Sequence, residues 1–74
     1  MERTELARGH ITKAHELVIT LEEPDGAPPA VLIHWPDQPS VTTPMQLQNT
    51  VNRAMSIMAR AAVRVTQIRR DRRL

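Results

Sequence analysis

Three histidines and a few neighbouring polar residues are the side chains of this 74-residue chain that could support acid–base or metal chemistry. His10 and His15 precede or begin the first predicted strand and His34 ends the second, and no carboxylate stands beside them at a spacing typical of a metal site. Asp37 and Ser40 occur without a nucleophile elbow or a glycine-rich loop. We therefore predict no catalytic residue, no metal ligand and no cofactor site, and expect a protein that is not an enzyme and takes no small-molecule substrate.

Arginine is the second kind of residue that suggests chemistry, because guanidinium groups bind phosphates and carboxylates. Nine of the ten basic residues are arginine; residues 44–74 hold seven basic side chains and one acidic, whereas residues 1–43 hold three basic and seven acidic. Three interpretations stay open, namely a solvated basic face, a nucleic-acid contact, or a contact with an acidic protein partner or the acidic half of a second copy. The residues concerned are Arg53, Arg60, Arg64, Arg69, Arg70, Arg72 and Arg73.

Several classes of protein are excluded by what the composition lacks. Without cysteine there is no disulfide framework and no cysteine zinc site, and without phenylalanine or tyrosine there is no conventional aromatic platform for stacking bases. The single tryptophan, Trp35, either closes the end of the core or stands exposed as an anchor for a partner. No apolar stretch reaches the about 20 residues that a membrane span needs, and the first residues do not resemble a signal peptide, so we expect a cytoplasmic protein with no membrane partner.

The first element that must position these residues is a β-hairpin over residues 14–35. Apolar residues alternate with other residues on both sides of a Pro/Gly-rich turn, which is typical of two strands. Residues 1–12 are predicted as a polar N-terminal arm with weak helical propensity, a helix over residues 5–18 being the weaker alternative, and residues 36–43 as a Pro-rich connector. The predicted buried face of the hairpin consists of Leu17, Ile19, Leu21, Val31, Ile33 and Trp35.

The second element is one long C-terminal helix over residues 44–70, with a basic tail over residues 71–74. Thr43 is a suitable N-cap, Pro44 suits the first helical position, and Gln46 completes a capping box. No glycine or proline follows to end the helix. The predicted fold class is therefore α+β, a β-hairpin followed by one long amphipathic C-terminal helix, in a single small domain.

The apolar stripe on this helix predicts a homo-oligomer, most simply a dimer. In such a dimer, either the helices pair along the stripe or two hairpins join into a four-stranded sheet. Seven apolar residues follow one another at spacings of four and three, and two more widen the stripe. The stripe is roughly 32 Å long, whereas a six-residue strand covers only about 20 Å, so a two-stranded hairpin is too small to cover it. The alternative is a monomer whose N-terminal segment folds back as a second helix. The predicted interface consists of Leu47, Val51, Ala54, Met55, Met58, Ala61, Ala62, Val65 and Ile68.

The segment from Ala30 to Pro44, AVLIHWPDQPSVTTP, followed by a helix rich in alanine and arginine, resembles the short accessory proteins of actinobacteriophages and their prophages. The resemblance implies a small phage product in the host cytoplasm that binds or interferes with a host macromolecule, and it transfers no functional residue. Together with the composition, it favours a non-catalytic protein-interaction module. The alternative is a nucleic-acid-binding protein that uses the arginine-rich face and end of the helix.

Overall fold

The fold is a three-stranded antiparallel sheet followed by one long helix, which confirms the α+β class. The computed structural model describes residues 2–36 and 43–72. Its elements, in chain order, are β1 (Glu2–His10), β2 (Glu16–Glu23), β3 (Ala30–His34) and α1 (Pro44–Arg72). Strand β2 is central, with β1 on one side and β3 on the other. Within the described residues, no helix combines the length and the hydropathy needed to cross a membrane.

The N-terminal segment is a strand, which corrects the prediction of an arm with weak helical propensity. The pairing of β1 with β2 shifts register between Glu5 and Ala7, so that Leu6 is an extra residue in a β-bulge. Leu6 is buried on the side that faces α1, and Ala7 packs against the same core. Because the neighbouring residues Leu6 and Ala7 both contact the core beneath α1, the strict alternation that identifies a strand in a sequence is broken.

The hairpin of β2 and β3 is confirmed within narrower bounds than the predicted 14–35. The two strands pair antiparallel from Val18 opposite His34 to Glu22 opposite Ala30. The turn between them contains Gly26, whose φ of 75° lies in the left-handed region that favours glycine. Of the predicted connector, residues 37–42 lie outside the described residues.

Helix α1 begins at the predicted residue and continues through Arg72, so the first part of the predicted basic tail is helical. Thr43 Oγ1 accepts a hydrogen bond from the backbone N–H of Gln46 at 3.2 Å, which is the N-cap interaction that the sequence predicts. The backbone N–H of Leu47 donates to the carbonyl oxygen of Thr43 at 3.1 Å and closes the first turn.

The hydrophobic core lies between α1 and the first two strands. The helix packs against β1 and, less extensively, β2, and within the described residues it makes no close backbone approach to β3. The buried helix residues Ala54 and Ala61 are small, which allows the helix to lie close to the sheet. The apolar side chains of the core are Leu6, Ile11, Leu17, Ile19, Leu21, Ala54, Ile57 and Ala61.

Half of the predicted buried face of the hairpin is therefore exposed. Leu17, Ile19 and Leu21 are buried as expected, because β2 lies under the helix. On β3 the side chains of Val31 and Ile33 are 50% and 42% exposed. Trp35, just beyond β3, is 59% exposed, which excludes its role as a cover for the core.

Candidate interaction surface

His15 and His34 make local hydrogen bonds. His34 Nε2 lies 2.9 Å from Thr20 Oγ1 across the β2–β3 pair, and His15 Nδ1 lies 2.7 Å from Thr12 Oγ1 in the turn that joins β1 to β2. Thr20 is buried, so this bond satisfies a polar group that sequence analysis did not single out. Among residues 2–36 and 43–72, no group of three possible ligands is placed to hold a metal ion. Two residues considered for catalysis lie outside the described ranges, Asp37 and Ser40.

The sheet face that points away from α1 carries a network of ion pairs. Arg8 contacts Glu5 through Nε at 2.6 Å and Glu16 through a terminal nitrogen at 3.0 Å. The hydrogen bond with Glu5 is the main cause that raises the pKa of Arg8, with a further contribution from the charge of Glu16. A terminal nitrogen of Arg3 lies 2.5 Å from Glu22 Oε1. The charges of this face are thus largely neutralised by each other.

Of the six candidate arginines that the structure describes, Arg60 and Arg72 are engaged within the chain itself. Arg60 donates a hydrogen bond to the carbonyl oxygen of Arg8 at 3.3 Å, and Arg72 binds both carboxylate oxygens of Glu23, one of them at 2.8 Å. Because one turn of helix is 3.6 residues, Arg53 and Arg64 lie on the same side of α1 as Arg60, beside β1. Arg69 and Arg70 are exposed near the end of the helix, and Arg73 lies outside the described residues.

The Arg72–Glu23 pair predicts a measurable pH dependence at the end of α1. The hydrogen bonds from Arg72 lower the pKa of Glu23 from its ordinary value of 4.5. The stabilisation by this pair is therefore fully present above pH 4.5 and is lost as the pH falls through the lowered pKa of the folded state. We expect Arg72→Gln to raise the pKa of Glu23 in an NMR titration, whereas Arg70→Gln leaves it unchanged. An unaltered Glu23 pKa in Arg72→Gln contradicts the pairing.

An apolar groove runs between α1 and β3, because the helix lies over the other two strands. Its volume is about 310 Å³, and its walls are almost entirely carbon atoms. Val31 and Ile33 form one wall, Met58 and Ala62 belong to the opposite one, and the side chains of Leu6 and Ile19 contribute from the sheet. The remaining lining residues are Ala61 and Val65.

The exposed half of the predicted helix stripe continues this groove along α1. Leu47, Val51 and Met55 are exposed, and at 100° per residue they lie within about 60° of Met58 and Ala62, which line the groove. We call the exposed residues Val31, Ile33, Leu47, Val51, Met55 and Ala62 the apolar band. The band lies on the β3 side of the helix, and Arg60 lies on the β1 side.

The nine residues of the predicted oligomer interface differ in how far the chain itself buries them. Ala54 and Ala61 are buried in the core of the chain itself, which corrects their assignment to a contact with another chain. Met58, Val65 and Ile68 are partly buried and pack against that core. These helix residues are buried because β1, which the predicted two-stranded hairpin does not include, packs against this side of α1. The residues that remain exposed are Leu47, Val51, Met55 and Ala62, and Met58 and Val65 also line the groove.

The two edge strands of the sheet differ in how they are protected. Four of the nine residues of β1 are charged and the strand contains a bulge, and both features discourage pairing with another strand. Strand β3 has the sequence AVLIH, with no charged residue, no proline and no bulge, and all five residues are exposed. The uncharged run in β3 is the sequence signal that marks this edge.

No family model matches this chain, and the comparisons with curated proteins and with solved structures give no match either.

Proposed function

We propose that this chain is a non-catalytic protein-interaction module that receives an extended polypeptide segment beside β3. The observation that carries the proposal is the position of α1, which covers β1 and β2. Among the described residues, this leaves β3 exposed on one face and unpaired along its outer edge. In an antiparallel sheet, every second residue of an edge strand directs its backbone N–H and C=O away from the sheet. A polypeptide segment can pair with these groups and place alternate side chains against the groove, which is β-augmentation.

The composition of the groove supports a polypeptide partner and not catalysis. The groove presents apolar side chains, and the ion-pair network of Arg8, Glu5 and Glu16 lies on the opposite face of the sheet. Burying such apolar surface contributes about 25 cal/mol per Å². The alternating side chains of an added strand therefore provide affinity, and the apolar lining of the groove selects among them. The relation to phage accessory proteins stays a prediction, as does the binding of a host macromolecule.

A peptide that copies β3 tests this proposal. We expect a fluorescent peptide of residues 29–35, extended by two lysines for solubility, to bind saturably to the dilute monomeric chain. Ile33→Lys places a charge at the groove and weakens binding at least about tenfold, which corresponds to about 1.4 kcal/mol. Val63→Lys is the matched control, because Val63 is 58% exposed and does not line the groove.

A second peptide tests the backbone pairing. With proline at the position of Leu32, the peptide loses one N–H donor and much of its capacity to extend a sheet. We expect it to bind less well than the β3 copy. Equal binding of the two peptides, or no saturable binding by either, contradicts the proposal.

Nucleic-acid binding is the second candidate function, and one observation favours it. Lys13 and Arg53 both line a polar cleft where α1 begins, together with Asn49 and Thr50. Titration with duplex DNA and single-stranded RNA at several salt concentrations separates the two functions, since phosphate contacts make affinity fall steeply with salt. Under the proposed function we expect no such dependence. Steep salt dependence that disappears in the triple variant Arg53→Gln, Arg60→Gln and Arg64→Gln establishes the nucleic-acid alternative instead.

A further inference from the structure

We infer that the segment that binds beside β3 is β3 of a second copy of this chain, so that two chains form one continuous six-stranded antiparallel sheet. The inference rests on the proposed function and names its partner. Two strands of identical sequence pair antiparallel about a two-fold axis, which is the isologous contact of a symmetric dimer. The features that select this occupant are the sequence of β3, the placement of the helices and the exposed area of the chain.

The sequence of β3 is self-complementary when the two-fold axis passes through Leu32. This register pairs all five residues of the strand, with Leu32 opposite its own copy and Val31 opposite Ile33 of the partner subunit. Directly opposed residues of antiparallel strands lie on the same face, so the Val31–Ile33 pairs face the groove. Pairs of β-branched apolar residues stabilise such a contact, and no charged residue of β3 meets a like charge.

The same symmetry places the two helices favourably. A two-fold axis perpendicular to the sheet keeps both copies of α1 on one face. The apolar band of each chain, represented on the helix by Val51 and Met55, then points toward the axis. Arg60 and the arginines that share its side of α1 lie beside β1, at the outer edges of the joined sheet. The two basic helix faces therefore stay apart while the apolar faces approach one another.

The exposed area of the chain is large enough for such a contact. The chain has an accessible surface of 5654 Å². A compact monomer of 8.4 kDa has about 4,600 Å² by the usual scaling of area with mass. The chain is also elongated, with principal extents of 47 × 21 × 16 Å. The excess of roughly 1,000 Å² is comparable to the about 800 Å² that each partner buries in a stable interface.

Molar mass as a function of concentration provides the first test. By light scattering and sedimentation, we expect the wild-type chain to approach twice 8.4 kDa as its concentration rises and to return to 8.4 kDa on dilution. Ile33→Lys is expected to remain monomeric at concentrations at which the wild-type chain is dimeric, because inward-pointing lysines block strand pairing. Val63→Lys introduces the same charge away from β3 and keeps the wild-type behaviour. Far-UV circular dichroism verifies that each variant is folded.

Disulfide trapping tests the register, since the natural chain has no cysteine. The two-fold axis places residue 32 of each chain opposite its copy, where Cβ atoms are about 4.5–5.5 Å apart. We expect Leu32→Cys to form a disulfide-linked dimer on mild oxidation, faster than Glu5→Cys on the protected edge. Trapping through Met55→Cys but not through Leu32→Cys overturns the strand pairing in favour of a dimer joined by its helices.

The remaining outcomes separate the inference from the proposed function. If the chain binds the β3 peptide but stays at 8.4 kDa up to millimolar concentration, the proposed function stands and the second copy is excluded as its partner. Dimerisation that persists in Ile33→Lys overturns the inference as well. So does an extended segment of a different protein that binds the monomer beside β3 when the β3 peptide does not.

Discussion

Ile57→Ala is expected to lower the free energy of unfolding by about 2–5 kcal/mol, the usual cost of truncating a large buried aliphatic side chain. Ile57 is 2% exposed and lies at the centre of the contact between α1 and β1. A domain of this length has a total stability of about 4–11 kcal/mol, so the substitution removes a large part of it. Urea unfolding followed by circular dichroism provides the measurement, with the concentration held constant because association also stabilises the folded state.

Val63→Ala is the matched control for this substitution. Val63 is also a β-branched residue of α1, but it is largely exposed, and surface substitutions usually change stability by less than about 0.5 kcal/mol. We expect the two variants to differ clearly in their unfolding midpoints. Equal midpoints mean that α1 does not pack on the sheet through Ile57.

The elements whose signals are local could be predicted from the sequence. The alternation of Leu17, Ile19 and Leu21 predicts β2, and the cap formed by Thr43 predicts the start of α1; the structure has both. Strand β1 could not be predicted in this way, because the bulge at Leu6 breaks the alternation and the strand is recognisable only through its pairing with β2. The register shift is defined by how β1 pairs with β2, so the sequence of β1 alone does not reveal it.

The helix face that forms the core was predicted only in part, for a related reason. Heptad spacing selects a stripe that includes Leu47 and Val51 and omits Ile57, whereas the structure exposes the first two and buries the third. The helix is rotated toward β1, where a glycine allows Ile57 to approach the backbone closely. The side of the helix that is buried depends on which strand the helix covers, and the spacing of apolar residues along the helix does not contain that information.

The residues of the candidate interaction surface were likewise predicted only in part. Met55 and Ala62 were predicted as interface residues and are exposed beside the groove, whereas Ala54 and Ala61 were predicted alongside them and lie in the core. Val31 was expected inside the molecule and instead forms a wall of the groove. An amphipathic strand indicates that one of its faces is apolar. It does not indicate whether that face is covered by its own chain or by another one.

Gly9→Ala has the second largest expected effect, and two opposing contributions decide its sign. Replacing a glycine within a strand by alanine removes backbone freedom from the unfolded chain, which favours folding by roughly 0.5–1 kcal/mol. In the folded chain, however, the added Cβ would lie 3.0 Å from Ile57 Cγ1, Ile57 Cδ1 and a terminal nitrogen of Arg60. Overpacking of this kind costs about 1–3 kcal/mol, so we expect net destabilisation in urea unfolding.

A double-mutant cycle with Ile57→Val isolates the steric cause. Valine at position 57 lacks the Cδ1 atom, which is one of the three atoms that meet the added Cβ of Gly9→Ala. We therefore expect the double variant to lose less stability than the sum of the two single variants, whereas substitutions without a shared contact add within about 0.5 kcal/mol. Additive losses would mean that Gly9 is not the residue that sets the separation of α1 and β1. A stabilising Gly9→Ala would show, more directly, that the helix has room to move away from the sheet without losing its packing.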